Sequence, residues 1–211
     1  KDKKNLKQVR KLVGMVFQFP ESQLFAESVE KDICFGPMNF GKNEEEAKQR
    51  AREAISQVGL DEAILKKSPF SLSGGQKRRV AIAGILAMDP DVLVLDEPGA
   101  GLDPEGKEEI MNLLSQLHKE KKMSIVLVTH DMEDVAKYAE DVVVMEKGKV
   151  VFHGKVRELF SEEEKVEKWK LDYPEARKFQ LQIEEKLGIK FPEICLTIEE
   201  LADCLIKVGL V

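Results

Sequence analysis

The chain has 211 residues, of which 43% are hydrophobic and 34% charged, with a formal net charge of −6. That is enough apolar material for one sizeable core with an inserted or appended subdomain, which excludes a disordered chain. The pI near 5.4 argues against a surface devoted to nucleic acid, and the longest apolar run, Val80–Met88, is far short of the roughly 18 residues a membrane-spanning helix needs.

Lys1–Lys11 is a basic, polar run with neither the apolar centre nor the cleavage pattern of a signal peptide. The first residue is Lys rather than Met, so the chain reads as cut rather than begun. Val13–Phe17 predicts a strand, closed by Gln18-Phe19-Pro20 where proline forces the chain out of regular structure. From Ser28 to about Lys67 the pattern turns helical. Ala47, Ala51, Ala54, Ile55 and Val58 recur at helical spacing until Gly59 stops the run. After Leu72-Ser73-Gly74-Gly75-Gln76, a helix is predicted through Val80, Ile82, Ala83, Ile85 and Leu86, ending at Asp89-Pro90.

Val92–Glu97, bounded by Asp89-Pro90 and Pro98-Gly99, predicts a strand buried on both faces at the centre of a parallel sheet. Ligands collect at the carboxyl ends of such strands, where Asp96 and Glu97 stand side by side. Two like charges about 4 Å apart repel by roughly 1 kcal/mol in water and roughly 4 at an effective dielectric of 20, so a cation or a shared proton is expected there. These residues alone leave a solvated acidic turn equally open.

Asp103 and Pro104 start a helix running to about Lys121; Ser124–Thr129 predicts another buried strand, ending in His130. Asp131 caps a helix over Met132–Ala139, and Asp141–Met145 and Val150–Phe152 are predicted strands joined by Lys147-Gly148-Lys149. From Ser161 onward the chain is helical and highly charged, with segments at Lys165–Trp169 and Glu175–Leu187 and a Thr197-capped helix through Leu201–Val208. Strands alternating with helices give an α/β fold with a parallel sheet. Cys34, Cys195 and Cys204, odd in number and without metal-ligand spacing, read as reduced core residues.

Taken in order, Gln18 at a strand end, Leu72-Ser73-Gly74-Gly75-Gln76 at a helix start, Asp96-Glu97, Leu102-Asp103 and His130 resemble the ATPase subunit of ATP-binding cassette (ABC) proteins. In that family these are the Q-loop, signature, Walker B, D-loop and switch histidine, and the resemblance covers about Leu12 to Gly154. It implies a P-loop NTPase (RecA-like) parallel sheet with an inserted helical subdomain and a small helical C-terminal extension. The division it implies is 1–20 for the end of the N-terminal core with the Q-loop and 21–79 for the helical subdomain with the signature. Residues 80–160 would be the RecA-like core and 161–211 the extension.

The resemblance also implies ATP and Mg²⁺ as ligands. Asp96 would help hold magnesium, largely through water, with Gln18 sensing it and the γ-phosphate. Glu97 would polarise the attacking water and His130 would contact the γ-phosphate. Ser73, Gly74, Gly75 and Gln76 would meet the phosphates of a nucleotide bound by a second ATPase subunit in a head-to-tail homo- or heterodimer, with Asp103 nearby. Side-chain-free Gly74 and Gly75 let helix N-terminal amides approach phosphate oxygens.

Phe17–Phe25, with Gln23 as a second glutamine, followed by Asp32-Ile33-Cys34-Phe35-Gly36-Pro37, looks like the energy-coupling-factor importers of cobalt and vitamins, and more like the second of their paired ATPases. In that group this segment faces a transmembrane coupling protein, a separate membrane subunit binds the substrate, and the C-terminal extension helps hold the dimer. The implied location is the cytoplasmic face of the cell membrane, with no nucleic acid among the partners. Two departures stand out. The phosphate-loop pattern Gly-x-x-x-x-Gly-Lys-Ser/Thr occurs nowhere in the 211 residues, and Gly99 occupies a position where Thr is usual. Without that loop and the strands around it, an apolar sheet surface is expected to be exposed. Other readings remain open: a soluble ABC ATPase acting on DNA or ribosomes, or a non-catalytic module supplying only signature and D-loop.

Overall fold

The computed structural model describes residues 3–210, which fall into two compact units, one ending at Val128 and the other beginning at Thr129. In the first unit, helix α1 (Lys3–Leu12) runs directly into strand β1 (Val13–Val16). A parallel three-stranded sheet has the order β1-β2-β3, with β2 at Val92–Asp96 and β3 at Ser124–Val128. Gly14 pairs with Leu93, which pairs with Ile125, and Val16 with Leu95, which pairs with Leu127, so these six residues share one face.

That face is covered: Val16, Leu93 and Leu95 are buried. On the opposite face Met15, Val126 and Val128 are 47%, 48% and 49% exposed. The expectation that β2 and β3 are buried on both sides is therefore corrected. Both alternate: on the second face Val92, Val94 and Asp96 of β2 are half-buried, and Ser124, Val126 and Val128 of β3 are exposed. The sheet is tightest where Gly14 meets helix α4 (Gly74–Leu86). A side chain at Gly14 would overlap the Ile85 methyl and lie 3.2 Å from Pro90. Gly14→Val is expected to destabilise this unit by about 1–3 kcal/mol, read as a lower denaturation midpoint. An unchanged midpoint would show that α4 can move off the strand at little cost.

Between β1 and α4 lies the helical subdomain. Helix α2 (Val29–Asn39) is capped by Ser28, whose hydroxyl accepts from the Lys31 amide, and α3 (Glu44–Gln57) by Asn43. Their packing buries Val29, Ile33, Ala47, Ala51, Ile55 and Val58. Gly59, at φ +69°, ends α3 as expected. Helix α5 (Pro104–Lys121) connects β2 to β3.

The second unit opens with α6 (Met132–Tyr138), capped by Asp131. Strands β4 (Asp141–Glu146) and β5 (Lys149–Lys155) form an antiparallel hairpin whose turn residues Lys147 and Gly148 both have positive φ, the geometry that matches strand twist. Four helices follow: α7 (Val156–Ser161), α8 (Glu163–Lys168), α9 (Glu175–Leu187) and Thr197-capped α10 (Ile198–Lys207). One apolar cluster joins Val135, Val144, Leu159 and Phe160 to Val166 and Leu196, so the boundary expected between residues 160 and 161 falls inside a shared core. A second cluster holds Ala176, Phe191, Cys195, Leu201 and Cys204. All three cysteines are buried and free. No helix among the described residues is long and apolar enough to cross a membrane.

Candidate nucleotide site

Each sequence motif sits at the end of a regular element. β1 ends two residues before Gln18, and Phe19 then takes a left-handed backbone (φ 55°, ψ 56°) ahead of Pro20, which bars the right-handed helical region to the residue before it. Residues Pro20–Gln23 form a 3-10 turn, and the Phe19 ring packs over Gly101, 3.1 Å from where a Cβ would stand. Gly101, at φ +74°, is thus a position where both space and backbone require glycine.

β2 delivers the acid pair. Asp96 is half-buried and pairs in register with Val128, on the same face as Met15 and Val126. Glu97 breaks the strand with φ +47°, a region a non-glycine residue occupies at a cost of order 1–3 kcal/mol. Its amide donates to the Val128 carbonyl at 2.9 Å, and its carbonyl accepts from the Ala100 amide at 3.0 Å. The loop therefore turns sharply directly after Asp96, and the strand alternation ends there. Lys107 lies across Gly99, its Cγ 2.8 Å from a would-be Cβ, and fills the space a larger residue there would take.

The signature forms a capping box. Ser73 Oγ accepts from the Gln76 amide at 3.3 Å while Gln76 Oε1 accepts from the Ser73 amide at 3.2 Å. Leu72 is buried and anchors the turn, whereas Gly74 and Gly75 have no heavy atom within 4 Å of a built Cβ. The helix start is therefore open to a ligand from outside, with the Ser73 hydroxyl proton still available to donate. Asp103 caps α5, its Oδ1 accepting from the Gly106 amide at 2.8 Å. His130 belongs to the second unit, where it is exposed and borders a cleft of about 270 Å³ rich in carboxylates, among them Asp131, Glu133 and Asp172.

The residue that sequence reasoning missed is Arg78, 2% exposed in the second turn of α4. Its Nε and Nη2 donate to the two Glu21 oxygens at 3.1 and 2.9 Å, and its Nη1 donates to the carbonyls of Pro98 at 3.0 Å and Ala100 at 2.8 Å. Burial pushes the Glu21 carboxyl up, but the Arg78 hydrogen bonds and charge outweigh it and hold the group below its ordinary value. The stabilisation this supplies is present above the unfolded carboxyl's range and is lost as pH falls through the folded value. The signal was in the sequence: Arg78 stands four and eight residues before buried Ile82 and Leu86, a cation in an apolar stripe.

Residues 1–100 match the family model described as ABC transporter. The energy-coupling factor transporter ATP-binding protein EcfA2 of Bacillus anthracis is 58% identical over 208 residues, covering 99% of this chain and 71% of that protein. The chain belongs to the ABC ATPases of energy-coupling factor type. The corresponding protein of Listeria monocytogenes is 59% identical over 94% of this chain and 69% of its own length. Among solved structures of ABC ATPases, cbiO1 from Clostridium perfringens, part of the transporter complex cbiONQ, superimposes with a TM-score of 0.70 at 40% identity, over 89% of this chain and 72% of that one. A dimeric post-hydrolysis state of the cassette MJ0796 bound to ADP and Pi gives 0.62 at 31% identity, over 74% and 68% of the two chains. The α/β P-loop ATPase fold with its parallel sheet and added helices is thereby established for this ABC ATPase.

Proposed function

We propose that this chain energises a micronutrient importer of the energy-coupling factor type, for cobalt ion or a vitamin, by hydrolysing ATP at a head-to-tail interface with a second ATPase subunit. The observation that carries this reading is the pairing of an acid-tipped strand, Asp96-Glu97, with an open, capped signature helix beginning at Gly74, in a chain 58% identical to EcfA2 proteins. Magnesium takes one or two carboxylates and keeps water and phosphate for its other ligands. Asp96 would be that carboxylate and Gln18 would report on it; when bound, the ion would offset charge on the phosphate oxygens.

In this reading Glu97 accepts a proton from the attacking water. The Ser73 hydroxyl and the amides of Gly74, Gly75 and Gln76 hold the phosphates of the partner's nucleotide, Asp103 shapes the facing loop, and His130 meets the γ-phosphate. The first unit would combine core and helical subdomain, and residues 161–211 would help hold the dimer. The exposed Phe25 and Phe35, stacked edge-on at 5.0 Å, offer an apolar surface for the transmembrane coupling protein at the cytoplasmic face of the membrane, with substrate chosen by a separate membrane subunit.

Phosphate binding is divided in this scheme, since the 211 residues hold the signature and no phosphate-loop pattern. The complex expressed from the whole coding region with its membrane and ATPase partners is expected to hydrolyse ATP. The 211 residues alone are expected to give no heat of MgATP binding by calorimetry. Micromolar affinity of the isolated chain, or an assembled complex without ATPase activity, would refute the scheme.

A further inference from the structure

Three segments of the first unit converge on one buried cation. Arg78 reaches the 3-10 turn after Gln18 through Glu21, reaches the loop after Glu97 through the Pro98 and Ala100 carbonyls, and stands on α4 one turn from the signature glycines. We propose that Arg78 is a positioning residue for ATP hydrolysis, holding Glu97 in its left-handed conformation and tying it to the turn that follows Gln18. The proposal rests on the role given to Glu97 above.

The backbone at Glu97 is strained. A glutamate at φ +47° persists only where its surroundings over-determine it. Backbone hydrogen bonds of the loop run from the Glu97 amide to the Val128 carbonyl, from the Ala100 amide to the Glu97 carbonyl and from the Leu102 amide to the Gly99 carbonyl. Arg78 adds two more on the outer side of the turn, at Pro98 and Ala100, and both come from one nitrogen. Its other two nitrogens are fixed by Glu21, so the guanidinium plane cannot swing to follow a relaxing loop. Lysine could satisfy one or two of these four acceptors but not the fork.

The coupling also runs outward. Phe19 packs over Gly101 on the far side of the same loop, so the Gln18–Gln23 turn grips the loop at two points, once through a ring and once through an ion pair. That turn, two residues before the exposed Phe25, is thus tied to the loop after Glu97 by the Arg78–Glu21 ion pair and the Phe19 ring. Arg78 itself touches no substrate and acts only through Pro98 and Ala100.

The test uses the assembled transporter complex from the whole coding region, comparing Arg78→Met, Arg78→Lys and Glu21→Gln with Glu97→Gln. Turnover per folded complex, KM for ATP and the thermal midpoint are measured for each. Arg78→Met is expected to lower kcat by about 10²-fold, the cost of misplacing a reacting group by about 1 Å, with KM changed less than about twofold. Arg78→Lys and Glu21→Gln are expected to lose about tenfold, the lysine variant recovering part of what methionine loses. Should Arg78→Met fail to fold, the other two variants decide the matter, because Glu21 lies at the surface end of the pair. A purely structural role would lower the midpoint and leave kcat per folded complex unmoved, and that result overturns the proposal. Normal turnover in Glu97→Gln would instead remove the role of Glu97 itself.

Discussion

Glu97→Gln is expected to lower ATP turnover by about 10²–10⁴-fold, the usual loss when a general base is removed, while leaving ATP binding in place. The substitution keeps the length and shape of the side chain and changes neither the Glu97 amide bond to Val128 nor the Arg78 contacts around the loop. What it would remove, in the role proposed for Glu97, is the capacity to take a proton from water. In the protein expressed from the whole coding region, an unhydrolysed nucleotide is expected to hold the two subunits closed, so the variant should elute as a nucleotide-bound dimer in size-exclusion chromatography where the wild type does not. Asp96→Asn should behave differently, because the neighbouring acid is assigned to the metal. Turnover at the wild-type rate in Glu97→Gln would return Asp96-Glu97 to the status of an acidic turn.

Phe160→Ala is expected to cost about 3–5 kcal/mol, enough to unfold most of the second unit, because a side chain with no exposed surface is replaced by a void. Phe160 stands at the end of α7 and packs in one cluster with Val144 of β4 and Val166 of α8, and its ring centroid lies 6.2 Å from that of Tyr173. Amide hydrogen exchange should therefore show β4, β5, α7 and α8 losing protection together, while β1 to β3 keep theirs. Protection retained in α8 but lost in the hairpin would mean that the charged C-terminal part folds by itself.

Much of this arrangement was legible because local rules and tertiary packing agree. Alanines at helical spacing and a stopping Gly59 gave α3 its extent, Asp103-Pro104 started α5, and Lys147-Gly148 turned the β4–β5 hairpin. The one-sidedness of β2 and β3 was not legible, since a run such as Val92–Leu95 has the same composition whether one face or two are covered. What covers a face is a property of distant chain, and only the exposed Met15, Val126 and Val128 report it. In the site, the motif order identified Gln18, Ser73, Asp96, Glu97, Asp103 and His130 as a series. It could not show that Arg78 gathers the segments around Glu97. Side chains that work on the backbone leave a faint mark in sequence, here a single cation in an apolar stripe.

The left-handed backbone of Glu97 places activity and robustness in opposition at one residue. Glycine or asparagine would adopt φ +47° with less strain, so a search for thermostable variants that ignores turnover will favour replacing the very acid assigned to the chemistry. The same search would pass over Phe19, equally left-handed, because its ring is committed to Gly101 and its loss would open a gap. Resistance to heat and competence to hydrolyse thus have to be selected separately in this ATPase, with Glu97 held fixed.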